Sequence, residues 1–381
     1  MPYRGEEALS DKASRPKVTW VDSNDALRVA VTQWPTVIGL DTEFIRTNTF
    51  YPKPGLYQIA ADDRVYLIDP LVIDDWQPFV DYLQDDSTVK VMHACQEDLE
   101  LLHHHLGVNP GGLFDTQFAN AYLTENFSLS YAGLVQERTG LVIDKHETRS
   151  NWLQRPLTQE QVQYAVEDVT CLLDLYEQLT SLLKDTGREQ WFWSDMSQRA
   201  QYAPSDPQSA YRNVKKAWKL KGRQLGALQA LCAWREETAR ARNVPRSRVV
   251  WDEHIYAFAC LSELTLRHVR EVLPRGIARH YDEALVLQHQ LGRAGSVPES
   301  LPKPLSSAQT KVLKALRQVS LAKASQLGIA PELIARKKDL EHCIRHYASS
   351  LGLPEHYTGW RGELLGTAFL EILQEGNREA L

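Results

Sequence analysis

The sequence predicts an α/β domain followed by two small all-α modules, and three observations carry that expectation. Over residues 1–200, short apolar runs alternate with stretches of helical period, the order of elements that builds a sheet covered by helices. From about residue 217 the patterns are helical throughout and no strand-like run survives. Two polar breaks rich in proline, QRAQYAPSDPQSA (198–210) and RAGSVPESLPKPLSS (293–307), punctuate the chain. At 381 residues the chain is long enough for two or three cores. The expected domains are residues 1–200, 217–292 and 308–381, joined by linkers 201–216 and 293–307.

The elements follow in order. TVIGLD (36–41), LYQIAA (56–61), RVYLID (64–69) and VKVMH (89–93) read as strands, being short, apolar and separated by Pro and Asp. Helical patterns follow near 96–106, 115–123 and 158–183. The last has a clear start, a capping box from Thr158 and Gln161 with Leu157 and Val162 as the hydrophobic staple around it. In the second half, QLGALQALCAWREETARAR (224–242) is the strongest helical pattern.

Composition narrows the class. Hydrophobic residues make up 43% and charged residues 24%, a globular balance, and no apolar run approaches the length of a membrane span. The stretch MPYRGEEALSDKASRPK has no apolar core to act as a secretory signal, so a cytoplasmic protein with no membrane association is expected. Five scattered cysteines, Cys95, Cys171, Cys232, Cys260 and Cys343, form no CxxC pair and read as buried thiols in a reducing compartment. The formal net charge of −6 hides an asymmetry. Residues 1–200 hold 16 Lys and Arg against 31 Asp and Glu, whereas residues 201–381 hold 27 against 18. An acidic half suits cations and a basic half suits polyanions such as nucleic acid, although surface chemistry alone also produces such a difference.

The acidic half carries its charge in a pattern. In VIGLDTEFIR (37–46) an apolar strand ends on Asp41 and Glu43, which alternation places on one face. Such a pair is costly unless a cation or hydrogen bonds offset it, or the strand end emerges into solvent. VKVMHACQEDLELL puts Asp98 in the first turn of a helix after another apolar strand, where the helix dipole favours an anion. QVQYAVEDVTCLL places Tyr164 and Asp168 one turn apart on one helix face. Each site alone reads equally as ordinary surface chemistry. Together, four carboxylates and a phenol suit two hard cations, Mg²⁺ or Mn²⁺, which bind oxygen ligands and serve phosphodiester hydrolysis.

These residues carry a resemblance. LDTEF, HACQEDLE and YAVEDVTCL resemble the three motifs of the DEDD superfamily of 3′–5′ exonucleases, in its tyrosine-containing branch. RTNTFYPKPGLYQIA, LIDPL, FDTQ and KHETRSNWLQRPLT are similar to the ribonuclease D family in particular, so the likeness covers most of residues 30–200. One departure is Asn151 before Trp152, where relatives often carry Asp. The resemblance implies a ribonuclease-H-like fold, a mixed sheet flanked by helices. It also implies that Asp41 bridges two divalent metals, that Glu43 and Asp168 bind the metal on the water side, that Asp98 serves the other largely through water, and that Tyr164 orients the attacking water.

The tail extends the likeness. QLGALQALCAWREETARARNVPRSRVV resembles the start of an HRDC domain, and SQLGIAPELIARKKDLEHCI is similar to the more divergent second copy in ribonuclease D. Lys215, Lys216 and Lys219 surround Trp218, and Arg240, Arg242, Arg246 and Arg248 cluster where the long helix ends. Cations there suit phosphates and an aromatic among them suits a base, while helix C-terminal charges satisfying the dipole are the plainer account of single residues. His103, His104 and His105 are consecutive on a helix and cannot all chelate one ion, Cys95 lacks an adjacent base, and Trp191, Phe192 and Trp193 read as packing.

The implied function is metal-dependent 3′–5′ hydrolysis of RNA to nucleoside 5′-monophosphates, with trimming of tRNA precursor 3′ ends and no obligate protein partner. Two rivals stay open at this point: a DNA 3′–5′ exonuclease with the same centre, and a noncatalytic nucleic-acid-binding protein whose acids are structural.

Overall fold

The computed structural model describes residues 16–143 and 150–379. The amino-terminal stretch MPYRGEEALSDKASRPK and KHETR (145–149) therefore fall largely or wholly outside the described residues. The chain divides into two compact units.

The first unit holds the described residues up to Ile45, then Pro54–Tyr202, and Val319–Arg336. Its six strands are β1 (Lys17–Val21), β2 (Val37–Ile45), β3 (Lys53–Ala61), β4 (Arg64–Ile68), β5 (Val89–Met92) and β6 (Leu113–Asp115). They form one sheet in the order β1-β4-β3-β2-β5-β6. The sheet is mixed: β3 and β4 are antiparallel, while β1 with β4, β2 with β5, and β5 with β6 are parallel. All four expected strands are present. β1 and β6 were not expected, because KVTWV is exposed along most of its length and LFD has three residues, too few for a period to show.

Among the described residues before Tyr202, this sheet is accompanied by α1 (Asn24–Val31), α2 (Gln77–Gln84), α3 (Gln96–Leu106), α4 (Thr116–Ala121), α5 (Tyr131–Thr139), α6 (Gln159–Thr170), α7 (Leu172–Asp185) and α8 (Glu189–Arg199). The capping box forms as the sequence predicts, with Thr158 Oγ1 accepting from Gln161 N and Gln161 Oε1 accepting from Thr158 N. The helix expected over 158–183 is two helices that meet at Cys171. Tyr131 explains the break: Cys171 N–H donates to the Tyr131 hydroxyl at 3.1 Å, and that hydroxyl donates to Glu167 O at 3.2 Å. A side chain has entered the i→i−4 ladder where Cys171 would have bonded Glu167 directly.

Two features set the relation of sheet and helices near this break. A methyl on Gly39 of β2 would lie 3.0 Å from Leu172 Cβ and 3.2 Å from Ala60 Cβ, so a residue without Cβ lets α7 and β3 close on β2. Residues 319–336 belong to this unit through Ala330 N, which donates to Ala121 O at 2.9 Å, and Arg188, whose guanidinium donates to both Tyr122 O and Leu327 O.

The second unit holds Arg46–Lys53, Ala203–Gln318 and Lys337–Leu381. It is helical: α9 (Gly222–Ala241), α10 (Arg246–Val249), α11 (Asp252–Cys260), α12 (Leu266–Val272) and α13 (Arg275–Ala294) surround an apolar core that includes Leu228, Leu231, Ile255 and Leu285. The chain continues through α14 (Ser307–Leu327), α15 (Pro331–Ile334), α16 (Lys337–Ser350) and α17 (Trp360–Glu379). Tyr211 and Val214, in the stretch expected as a linker, are buried in that helical core, as is Phe50. Tyr51 N donates to Asn243 Oδ1 at 2.9 Å, which ties the segment after β2 to this unit.

Candidate active site

The site forms where β5 ends beside the middle of β2, which runs on to Ile45 past the two acids that the sequence placed at its end. Their parallel register runs to Gly39↔Val91, two residues before Asp41 on β2 and two before His93, which follows the last residue of β5. β5 then turns through Ala94, a non-glycine residue at φ 54°, into α3. Asp115 holds that turn, its Oδ1 accepting from Ala94 N at 3.0 Å as well as capping α4 through Gln117 N and Phe118 N. The turn delivers Asp98 to the first turn of α3, and α6 brings Tyr164 and Asp168 beside Asp41 and Glu43 of β2. Trp152, buried against Gly55, stacks obliquely near Tyr164 with ring centroids 6.1 Å apart.

All five expected residues line one cleft of about 290 Å³, with Thr42, His93 and Tyr131 among its other walls. Carboxylate oxygens of Asp41, Glu43 and Asp168 lie within 4.8 Å of one another. Asp98 is not one of that trio. Its Oδ1 accepts a hydrogen bond from Thr42 Oγ1, which holds it at the rim of the group.

The acids are uncomfortable together. Burial and repulsion from Asp98, Asp168 and Glu43 push Asp41 well above the ordinary carboxylate range, against the Thr42 N–H that lowers it. Burial, then Asp168 and Asp98, raise Glu43 to about 9. Asp98 and Asp168 are each raised to about 6, chiefly by burial, with Thr42 opposing the shift at Asp98 and Tyr164 opposing it at Asp168. The Tyr164 phenol is also pushed up, by burial and then by Asp168 and Glu43, so it stays protonated.

This donor set fits a hard divalent cation: converging carboxylate oxygens, no thiolate, and no Lys or Arg among the residues lining the cleft to neutralise them. Gln58 of β3, outside that lining, is fully buried with neither amide atom hydrogen-bonded. His93 is not a further ligand, since its ring nitrogens meet Thr116 Oγ1 at 2.9 Å and Leu129 O at 3.1 Å. Thr42, Tyr131 and Gln58 escaped the reading of the sequence. Gln58 alone left a trace there, as the polar residue inside the apolar run LYQIAA.

The consecutive histidines, Cys95 and the Trp191–Trp193 aromatics stand apart from this chemistry, as their sequence suggests. His105 Nδ1 bonds the Tyr57 hydroxyl at 2.8 Å while His103 faces Tyr202, so the three histidines diverge. Cys95 is fully buried and its thiol is raised by burial. Phe192 and Trp193 pack on Phe114 at 4.7 and 5.8 Å.

The expected nucleic-acid residues divide. Lys215, Lys216, Lys219, Arg242 and Arg248 are exposed, and Lys219 Nζ lies 5.5 Å from the half-buried Trp218 ring. Arg240 and Arg246 are otherwise engaged. Both pair with Glu236, which is 1% exposed, and both lie over Phe50 at 5.6 and 4.8 Å. Burial raises the Glu236 carboxyl, but Arg246 and Arg240 together hold it below the ordinary range. Arg242 donates to the Tyr281 hydroxyl.

The chain is similar to known proteins over most of its length. Residues 18–184 match the 3′–5′ exonuclease family model, and residues 224–285 match the HRDC domain. A ribonuclease D of Pseudomonas paraeruginosa is 40% identical over 94% of this chain and 98% of its own length. The ribonuclease D of Escherichia coli is 34% identical over 94% of this chain and 98% of its own. The crystal structure of the Escherichia coli enzyme superposes with a TM-score of 0.85 over 94% of this chain and 99% of that one, at 32% identity. With the acids of the exonuclease motifs gathered in one cleft and near-full-length relatives of one kind, the chain belongs to the ribonuclease D family of 3′–5′ exoribonucleases.

Proposed function

We propose that the chain hydrolyses RNA one nucleotide at a time from the 3′ end and releases nucleoside 5′-monophosphates, using two divalent ions, Mg²⁺ or Mn²⁺. The carrying observation is the trio Asp41, Glu43 and Asp168, with oxygens within 4.8 Å, beside Asp98. Carboxyls so arranged repel when ionised and are compatible with one another when cations sit between them. Bound ions would supply positive charge to the entering and leaving oxygens at phosphorus.

The chain's own groups would act around that charge. Tyr164 is a neutral phenol that donates to Asp168, which leaves its oxygen lone pairs to accept from a water. It therefore orients a nucleophile and does not serve as its base. Asp98, steadied by Thr42, is suited to reach its cation through water because it stands outside the close trio.

The Escherichia coli relative is described as an exoribonuclease involved in structured RNA processing. We carry that substrate class to this chain, with tRNA precursor 3′ ends as its expected member. In the helical unit Lys215, Lys216, Lys219 and Arg248 are exposed cations suited to the RNA backbone, with Trp218 beside them to stack on a base.

The test is a time course on 5′-labelled single-stranded RNA and its DNA counterpart with Mg²⁺, Mn²⁺ or EDTA, for the natural chain and Asp41→Asn. A ladder that shortens by one nucleotide from the RNA 3′ end, absent with EDTA and with the variant, is the expected result. Faster shortening of DNA would transfer the same residues to the other polymer. No shortening with either metal would leave a binding protein.

A further inference from the structure

Hydrolysis by the acids and Tyr164 leaves Gln58 without a role, and its chemistry is unexplained. Its side chain is fully buried, and neither Nε2 nor Oε1 has a hydrogen-bond partner. An amide in that state is disfavoured and calls for an account.

Its position supplies one. β3 lies next to β2 in the sheet, and residues 46–52, which join them, are too few for the crossover of a dozen or more that parallel pairing needs. The pair is therefore antiparallel. The near approach of Gly39 to Ala60 marks one rung, 3.2 Å from a methyl on the first to Cβ of the second. Two residues forward on β2 and two back on β3, Asp41 stands opposite Gln58. Alternation puts both side chains on the face of Gly39 and Ala60, the face that Leu172 approaches, and directly opposed side chains of a pair have Cβ atoms about 4.5–5.5 Å apart. Gln58 thus leaves the sheet beside Asp41, on the same face.

We propose that Gln58 is a positioning residue for Asp41, its Nε2 donating to the Asp41 carboxylate when a divalent cation occupies the site. The inference rests on the metal reading given above and adds a group that would orient Asp41. A bound cation keeps Asp41 ionised and leaves it lone pairs to share, and a neutral donor from β3 fixes the plane of the carboxylate without adding charge. A lysine there would compete with the cation, and an apolar residue would leave the carboxylate free to turn.

The experiment is a Mn²⁺ titration of the full chain without RNA, read by the loss of the free-ion electron paramagnetic resonance signal. It compares the natural chain with Gln58→Leu and Gln58→Met and adds thermal melts of each protein without metal. Both variants remove the donor and keep approximately the volume. The expected result is a Mn²⁺ midpoint raised about tenfold or more in both, with metal-free melting temperatures equal to or above that of the natural chain, since an orphaned amide has been replaced by apolar atoms. Natural binding with unchanged midpoints in both variants overturns the role of Gln58 and leaves the metal reading intact. Weaker binding accompanied by a matching fall in metal-free melting temperature also overturns it, in favour of packing. A natural chain that takes up no Mn²⁺ overturns the metal reading and this proposal together.

Discussion

Thr42 donates its hydroxyl to the carboxylate of Asp98, so the residue between the two acids of β2 fixes the acid of α3. Alternation turns Thr42 away from the Asp41 and Glu43 face, and both Thr42 and Asp98 are buried. Thr42→Val keeps the branched shape and removes the donor to a charged group, a loss of about 1.5–3 kcal/mol. The metal concentration for half-maximal RNA hydrolysis should rise, and the rate at saturating metal should fall less. Rate measured against Mn²⁺ concentration separates the two, and an unchanged half-maximal concentration would count against this orienting role.

Tyr131 does for Asp168 what Thr42 does for Asp98, but through the backbone. Its hydroxyl bridges Glu167 O and Cys171 N, which flank Asp168 at the end of α6. Tyr131→Phe removes that bridge from two part-buried backbone groups, so stability should drop by about 0.5–1.5 kcal/mol and turnover should fall. Denaturant unfolding and single-turnover rates check the pair of effects. A drop in stability with full turnover would confine Tyr131 to the fold.

The protons of the site set its response to pH. Asp98 and Asp168 are raised from 3.8 to about 6 and Glu43 from 4.5 to about 9, so the folded chain holds these protons more tightly than the unfolded chain. Their contribution to stability is complete below the unfolded values. It is lost as pH rises, from about 4 to about 6 for the two aspartates and on to about 9 for Glu43. Cations replace protons as the partners of these groups. The rise in melting temperature produced by Mn²⁺ should therefore be larger at pH 8.5 than at pH 5.5, and a shift that is equal at both would argue against metal at this site.

The basic residues of the helical unit should separate by function. Replacing Lys215, Lys216 and Lys219 together by Ala should weaken RNA binding and lower its salt slope by about 0.7 for each single-strand phosphate no longer neutralised, with little change in stability. Glu236→Gln should act the other way. It leaves Arg240 and Arg246 with a neutral partner at a buried site and should destabilise the unit while changing the salt slope little. Filter binding across a salt series, with melts in parallel, would expose any exchange of these effects.

The sequence by itself determined the two kinds of architecture, four of the strands, the capped start of α6 and the five residues of the acidic cleft. Each of these is a local pattern: alternation in VIGLDTEFIR, the Thr158 and Gln161 box, and the one-turn spacing of Tyr164 and Asp168 lie within a few residues of one another. The tertiary structure decided what depends on partners distant in the chain. Tyr131 broke a helix whose own pattern runs straight through Cys171, because a hydroxyl from α5 competes for the same backbone bond. Arg240 and Arg246, cations like their neighbours in sequence, were claimed by Glu236, because a buried carboxylate must be compensated. Residues 46–53 and 319–336 joined the units opposite to those of their neighbours in sequence. Gln58 came to stand opposite Asp41 only through strand register, which no local pattern fixes until the sheet has formed.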